Sequence, residues 1–253
     1  MSSQEYTIPL SAEQIYPLLL KLEDQGVITR TFRRLDPDRQ QAVIDAILAE
    51  AAVSGPAGIN IKHVAARSGV AVGSLYQYFG NREGLINFSI ELVTRQVCET
   101  FNYIQPWLAE MPLREGLRAY IEGGEAWSEA QASFVRFFAA AAYNQNAEMQ
   151  ERVVRPVAAV MLENVRQMLA AALERGEVRA DLDLEAAARL LHGMTIILGD
   201  SQILPYLNAY FQTSEEGVEW QRVMNVFLDV LTHGMLAVNQ LNNENLGVET
   251  RES

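Results

Sequence analysis

Residues 60–85 read NIKHVAARSGVAVGSLYQYFGNREGL, and this stretch decides the fold. Asn60 is placed to cap a short helix that runs to Ser68, with Ile61, Val64 and Ala65 turned inward. Gly69 stops that helix, because the chain must reverse where a side chain would clash. A second short helix follows, and Asn81 then caps a longer one through Leu85, Ile86, Ile90, Val93 and Val97. Two short helices joined by a glycine-bearing turn of three or four residues form a helix-turn-helix. Val64, Ala65, Val70 and Leu75 are the residues expected to lock the pair together. The second helix then offers Val72, Gly73, Ser74, Gln77 and Tyr78 to the outside. Glycine and serine admit a close DNA backbone, the Gln77 amide suits a base edge, and the Tyr78 hydroxyl suits a phosphate.

Upstream, Asp36-Pro37 marks a strong helix start, an N-cap acid followed by proline in the first turn. Val43, Ile44, Ile47, Leu48 and Ala51 carry the helical period up to Gly55-Pro56. An earlier helix over 11–25 is expected from the Ser11/Gln14 capping spacing, a Leu10–Ile15 staple and the stripe Ile15, Leu18, Leu19, Leu22. Pro17 is awkward there and suggests a later first turn, and Gly26 is the stop. Residues 28–34 read as a short basic connector. Its Arg30, Arg33 and Arg34 suit either a minor-groove arm or a solvated link.

Downstream the segments lengthen and grow more apolar. Pro112 starts a helix that Gly123-Gly124 should weaken or break, and Trp127 to Tyr143 reads as the next. A long helix over 147–175 should kink at Pro156 and end at Gly176. Asp183 caps another through Leu198, bounded by Pro205, and the last strong helix is expected over Glu216 to Ala237. The remaining tail is polar. Strand-like alternation is scarce, so the chain reads as all-α.

The formal net charge is −12, which taken whole argues against a nucleic-acid partner. The charge is uneven, however. Residues 30–90 hold 7 Lys+Arg against 5 Asp+Glu, whereas residues 101–253 hold 11 against 21. The acid therefore sits away from the helix-turn-helix. One cysteine, Cys98, excludes an internal disulfide and fits a reducing cytoplasm, where it is expected as a buried small hydrophobe. No apolar run approaches a membrane span, and the start lacks a signal-peptide pattern, so no membrane partner is expected. His63, His192 and His233 lack metal-ligand spacing, and no metal or cofactor is implied; His63 should face phosphate or solvent. Asp181/Asp183 and Glu215/Glu216 read as helix N-cap acids rather than catalytic pairs, and no enzyme motif is present.

The 60–85 stretch closely resembles the tetracycline-repressor (TetR) family of transcriptional regulators. The matching positions are Val64-Ala65, Ser68-Gly69-Val70, Gly73, Ser74-Leu75-Tyr76, Tyr78-Phe79, Arg82-Glu83 and Leu85. Ala71 departs where the family often has a serine cap, and Ala51 where a phenylalanine is common. The resemblance implies a three-helix DNA-binding domain followed by a larger helical ligand-binding and dimerisation domain. It divides the chain into an extension over 1–35, a DNA-binding domain over 36–84, a ligand-binding and dimerisation domain over 85–240, and a polar tail over 241–253. In this reading Asn60 caps the second helix and Lys62 faces phosphate. Ala71, Val72, Gly73, Ser74, Gln77 and Tyr78 lie in or against the major groove of a double-stranded operator. Tyr76 reaches a phosphate through its hydroxyl and Arg82 clamps another. The rings of Tyr76 and Tyr78 are expected against protein.

The same resemblance implies a homodimer through the last two long helices. Ala187, Leu190, Leu191 and Leu198 would line one, with Met194 on the same stripe. Val223, Met224, Phe227, Leu231 and Met235 would line the other. It also implies a small-molecule effector. Trp127, Phe134 and Phe138 share a helical face, and with Trp107, Tyr143, Met161, Met168 and Met194 they are a possible pocket lining, against ordinary packing for any one of them. The function expected is a ligand-responsive repressor. The alternative is an all-helical small-molecule-binding or enzymatic protein in which the helix-turn-helix is only a packing module. The outward face of 72–78 separates the two, since an apolar or acidic face would favour burial.

Overall fold

The structure is a computed structural model that describes residues 12–130, 132–143, 145–213 and 217–235. Its helices are α1 (Ala12–Asp24), α2 (Arg30–Arg33), α3 (Pro37–Ser54), α4 (Ile61–Ser68), α5 (Val72–Phe79) and α6 (Arg82–Glu110). They continue as α7 (Leu113–Ala130), α8 (Ala132–Ala142), α9 (Ala147–Met149), α10 (Arg155–Glu174), α11 (Leu184–Ile203), α12 (Pro205–Phe211) and α13 (Trp220–Met235). The fold is all-α, and no β-strand occurs among the described residues.

The chain packs as two compact units. One holds the described residues of Met1–Glu99 with Trp127–Ala158, and the other those of Thr100–Ala126 with Ala159–Ser253. The first unit is thus larger than a three-helix reading head. It takes in α8, which packs on α3 and on the 3-10 turn Pro56–Gly58.

Local chemistry explains the first unit's elements. The Asp36 carboxylate accepts the Asp38 N–H at 3.0 Å, and Pro37 sits in the first turn of α3. Val43, Ile44, Ile47, Leu48 and Ala51 are all buried on its inner face. Gly69 adopts φ +70°, a left-handed cap that lets the chain turn between α4 and α5. Gly84 meets a different demand. A Cβ there would lie 1.9 Å from the Phe79 carbonyl oxygen, so only glycine lets α6 start so close behind α5.

An aromatic cluster fills the centre of this unit. Phe32 lies 4.9 Å from Phe79 and 5.3 Å from Phe88, and Phe79 and Phe88 are 5.0 Å apart, measured between ring centroids. Such pairs add about 0.5–1.5 kcal/mol beyond their burial. Phe32 comes from the expected basic connector, which instead forms the one-turn helix α2. Leu18, Leu19 and Leu22 of α1 are buried as expected. Pro17 lies inside α1 rather than opening it. The expected Ser11/Gln14 cap and the Leu10–Ile15 staple fall on residues or side chains outside those described.

Several boundaries differ from expectation. α7 runs straight through Gly123-Gly124, so Trp127 belongs to α7 and not to the helix of Phe134 and Phe138. Helical neighbours outweigh the roughly 1 kcal/mol per glycine lost there. The expected kink at Pro156 appears as a π-helical turn over Gln150–Val154 just before it. Proline removes one backbone donor and pushes on the carbonyl four residues back, and the wider turn absorbs both. α11 ends at Ile203 and is bounded by Pro205 as expected, but a further helix, α12, starts at that proline. α13 starts at Trp220, and Glu215, Glu216 and the tail after Met235 lie outside the described residues.

In the second unit Leu113, Leu117, Tyr120 and Ile121 of α7 pack with Val165, Met168 and Leu169 of α10. α11 and α13 add Leu191, Leu198, Met224, Leu228 and Leu231 to that core. The Asp183 carboxylate accepts the Ala186 N–H at 3.0 Å and caps α11, as expected, while Asp181 pairs with Arg179 at 3.2 Å.

Candidate nucleic-acid interface

Asn60 caps α4, its side chain accepting the Lys62 N–H at 3.0 Å, and Lys62 is exposed. Ala71 stands at the N-cap of α5 and gives no side-chain hydrogen bond. The face of α5 that remains open holds Gly73, Tyr76 and Gln77, with Val72 and Ser74 half-buried beside them. A Cβ at Gly73 would meet nothing within 4 Å, so the face is clear there. Tyr76 keeps 45% of its surface exposed.

Tyr78 corrects the expected outward face. Only 7% of it is exposed, and its ring packs 5.6 Å from Phe32. The reason is spacing. Tyr78 and Phe79 follow Leu75 by three and four residues, so all three share the buried side of the helix.

Arg82 also has a more specific place than expected. Its Nε donates to the Ile59 carbonyl at 2.8 Å and its Nη2 to the Ala57 carbonyl at 2.7 Å. The guanidinium spends two of its five N–H donors on the turn that leads into α4. From the other side the buried Glu50 carboxylate accepts from the Asn60 N–H at 3.4 Å, the Ser54 hydroxyl at 3.1 Å and the His63 ring at 3.0 Å. Burial pushes the Glu50 carboxyl up, but these bonds outweigh it and hold it below the usual carboxylate range. The reading head is therefore held by Arg82 and Glu50 together. Glu50 escaped the sequence reading because its signal is only a polar residue on an apolar stripe.

Arg33 is not a spare arm. It pairs with Glu23, donates to the Tyr16 hydroxyl at 3.0 Å and lies over the Tyr16 ring at 5.8 Å. Arg30 and Arg34 are exposed. Cys98 is half-buried rather than buried, and that burial pushes its thiol up.

The expected dimer stripes fall mostly inside the second unit. Leu191, Leu198, Met224, Phe227, Leu231 and Met235 are buried within one chain, and Ala187 and Val223 are half-buried. Of the named residues only Leu190 is well exposed. The apolar side chains that α11 and α13 leave open are Leu190, Ile197, Val226 and Val230. The expected pocket residues divide between the units. Trp127, Phe134, Phe138 and Tyr143 belong to the first, and Trp107, Met161, Met168 and Met194 to the second. Phe134 and Met168 are buried, Phe138, Met161 and Met194 half-buried, and Trp107 and Tyr143 exposed. The Trp127 side chain lies outside the described residues. No cluster of metal-ligating side chains occurs among the described residues, and none of their helices is long and apolar enough to cross a membrane.

Residues 43–87 match the bacterial regulatory proteins of the tetR family. The HTH-type transcriptional regulator BetI of Cronobacter sakazakii is 26% identical over 168 residues, which is 65% of this chain and 77% of that protein. A TetR family transcriptional regulator from Chloroflexus aurantiacus superposes with TM-score 0.59 at 21% identity, over 83% of this chain and 99% of that one. The transcriptional regulator FadR from Bacillus subtilis, in complex with stearoyl-CoA, gives TM-score 0.58 at 18% identity, over 77% and 98%. Residues 43–87, which hold most of α3, all of α4 and α5 and the start of α6, are thus similar to the bacterial regulatory proteins of the tetR family, and the fold of the described chain is similar to that of tetR-family regulators.

Proposed function

We propose that the protein is a dimeric repressor that releases a palindromic operator when a small molecule binds its C-terminal part. The observation that carries this reading is the open face of α5. Ala71, Gly73 and Gln77 are exposed, uncharged and small or amide-bearing, as a helix entering a major groove requires. Gln77 reads a base edge, the Tyr76 hydroxyl and Lys62 meet phosphates, and Arg82 holds the turn that aims α4 and α5. A helix-turn-helix used only as packing would cover that face. Two heads on one dimer read half-sites about 34 Å apart, or somewhat more.

The effector part of the reading is supported by FadR, which was solved with stearoyl-CoA. It is also supported by two of the orphaned polar atoms in the second unit. α7 and α10 run antiparallel there. Arg175 donates to the Ala109 and Met111 carbonyls, and Gly116 faces Met168. Tyr120 stands on α7 and Asn164 on α10. Both are buried, and neither the Tyr120 hydroxyl nor Asn164 Oδ1 has a hydrogen-bond partner. Each such orphan costs about 1–3 kcal/mol, which an ordinary core avoids. Burial raises the Tyr120 phenol, so it stays a donor. An uncharged effector carrying a hydroxyl or amide would complete both groups. Its binding would favour one separation of the two heads over another and so weaken the operator complex.

Selection of duplexes bound by the full chain from a random DNA pool tests the reading. Enrichment of a palindrome supports it, and a pool that stays random refutes it.

A further inference from the structure

The segment before the helix-turn-helix makes a connection that DNA binding alone does not ask for. α5 is two turns long and has no side-chain cap at its start, so it has little stability of its own. Its end is fully satisfied. The last four carbonyls of a helix have no partner within it. In α5 the Gly80 N–H donates to the Tyr76 carbonyl at 2.8 Å, and the Asn81 N–H to that of Phe79 at 2.9 Å. The other two are met from outside the motif. Thr29 donates its N–H to the Tyr78 carbonyl at 2.9 Å and its hydroxyl to the Gln77 carbonyl at 2.8 Å.

Thr29 is itself firmly held. It is the N-cap of α2, whose Phe32 is fully buried against Tyr78, Phe79 and Phe88. The Gln40 amide donates to the Phe32 and Arg33 carbonyls at 2.9 and 2.8 Å, tying α2 to α3. Arg33 ties α2 to α1 through Glu23 and Tyr16. Arg95 of α6 donates to the Gln25 side chain at 2.6 Å. The extension is thus anchored to α3 and α6, and it presents one residue to the backbone of α5.

We propose that residues 12–34 are a brace for the reading helix and that Thr29 is a positioning residue for Gln77. The inference rests on Gln77 being a base-reading residue. Thr29 touches no DNA. It fixes the backbone that carries the Gln77 side chain, and so sharpens the difference between the operator and other sequences. Contacts to phosphate depend on other residues and are left as they are.

The experiment compares the full-length wild type with T29V, which keeps the shape and the backbone N–H but loses the hydroxyl bond, and with T29S, which restores it. Affinities for the duplex selected by the wild type and for a scrambled duplex are measured over a salt series, and amide hydrogen exchange is followed on the same samples. For T29V the preference for the selected duplex falls about fivefold, the worth of one ordinary hydrogen bond, with scrambled binding and the salt slope unchanged. Exchange rises by a similar factor within residues 72–81 and not in α13. T29S returns both readouts to near the wild-type level. An unchanged preference, an equal loss on both duplexes, or exchange raised throughout the chain overturns the inference. A wild type that selects no duplex removes the DNA-reading function instead, and the exchange comparison still decides whether Thr29 braces α5.

Discussion

Arg82 shows how a residue at the margin of a motif acquires a definite task. Its position at the start of α6 suits a phosphate contact, yet its fork grips the Ala57 and Ile59 carbonyls. A lysine there keeps the charge but cannot bridge two carbonyls in a fixed plane. R82A and R82K should therefore both lower urea-unfolding stability by about 1–3 kcal/mol. A lysine variant as stable as the wild type would return Arg82 to a purely electrostatic role. Glu50 makes a second prediction at this scale. Its carboxyl sits below the ordinary range in the folded chain, so its stabilisation is complete above that range and is lost as pH falls through the lowered value. E50Q should be less stable than the wild type by about 1–3 kcal/mol at neutral pH. The gap should close as the solution is acidified, because a protonated Glu50 resembles the amide. Melting temperatures of both proteins across the acid range read this directly, and a gap that stays constant or widens contradicts it.

Among elements, α3, α4 and α5 were legible because their caps and stops are local chemistry. Asp36, Asn60, Gly69 and Gly80 each act within a few residues of where they stand. Tyr78, expected on the outward face with its ring against protein, is buried as a whole because it follows Leu75 by three residues. α2 could not be read so easily. Phe32 sits among arginines, and only its contact with residues near 79 and 88 shows it to be core. The last helices show the opposite problem. The strong stripe of α13, from Met224 to Met235, is the chain's own interior. The weaker pair Val226 and Val230, with Leu190 and Ile197 of α11, remains exposed and is the face the proposed dimer would use. A helix that packs on both sides shows two apolar faces, and sequence period alone does not say which one is shared. On the proposed dimer, V226E and V230E should thus fold normally yet sediment as monomers while the wild type sediments as a dimer, because each would bury an unpaired charge at the interface. Dimers that persist in both variants would move the interface elsewhere.

For the whole molecule, the negative total charge conceals a division of labour. The strongly acidic part of the sequence begins beyond the helix-turn-helix, while the Lys62, Arg67 and Arg82 neighbourhood carries the surplus of cations. A net charge of −12 therefore does not forbid a phosphate partner, although it should keep binding without sequence preference weak and sensitive to salt. On the proposed reading, sequence preference comes from the short open face of α5, where Gln77 is the one side chain with an amide. The most direct measurement is the selection of duplexes from a random pool by the wild type and by Q77A in parallel. The account predicts a palindrome with half-sites about one helical turn apart or somewhat more for the wild type, and an altered or flattened preference for Q77A. A wild-type pool that remains random, or identical enriched sequences from both proteins, would contradict it.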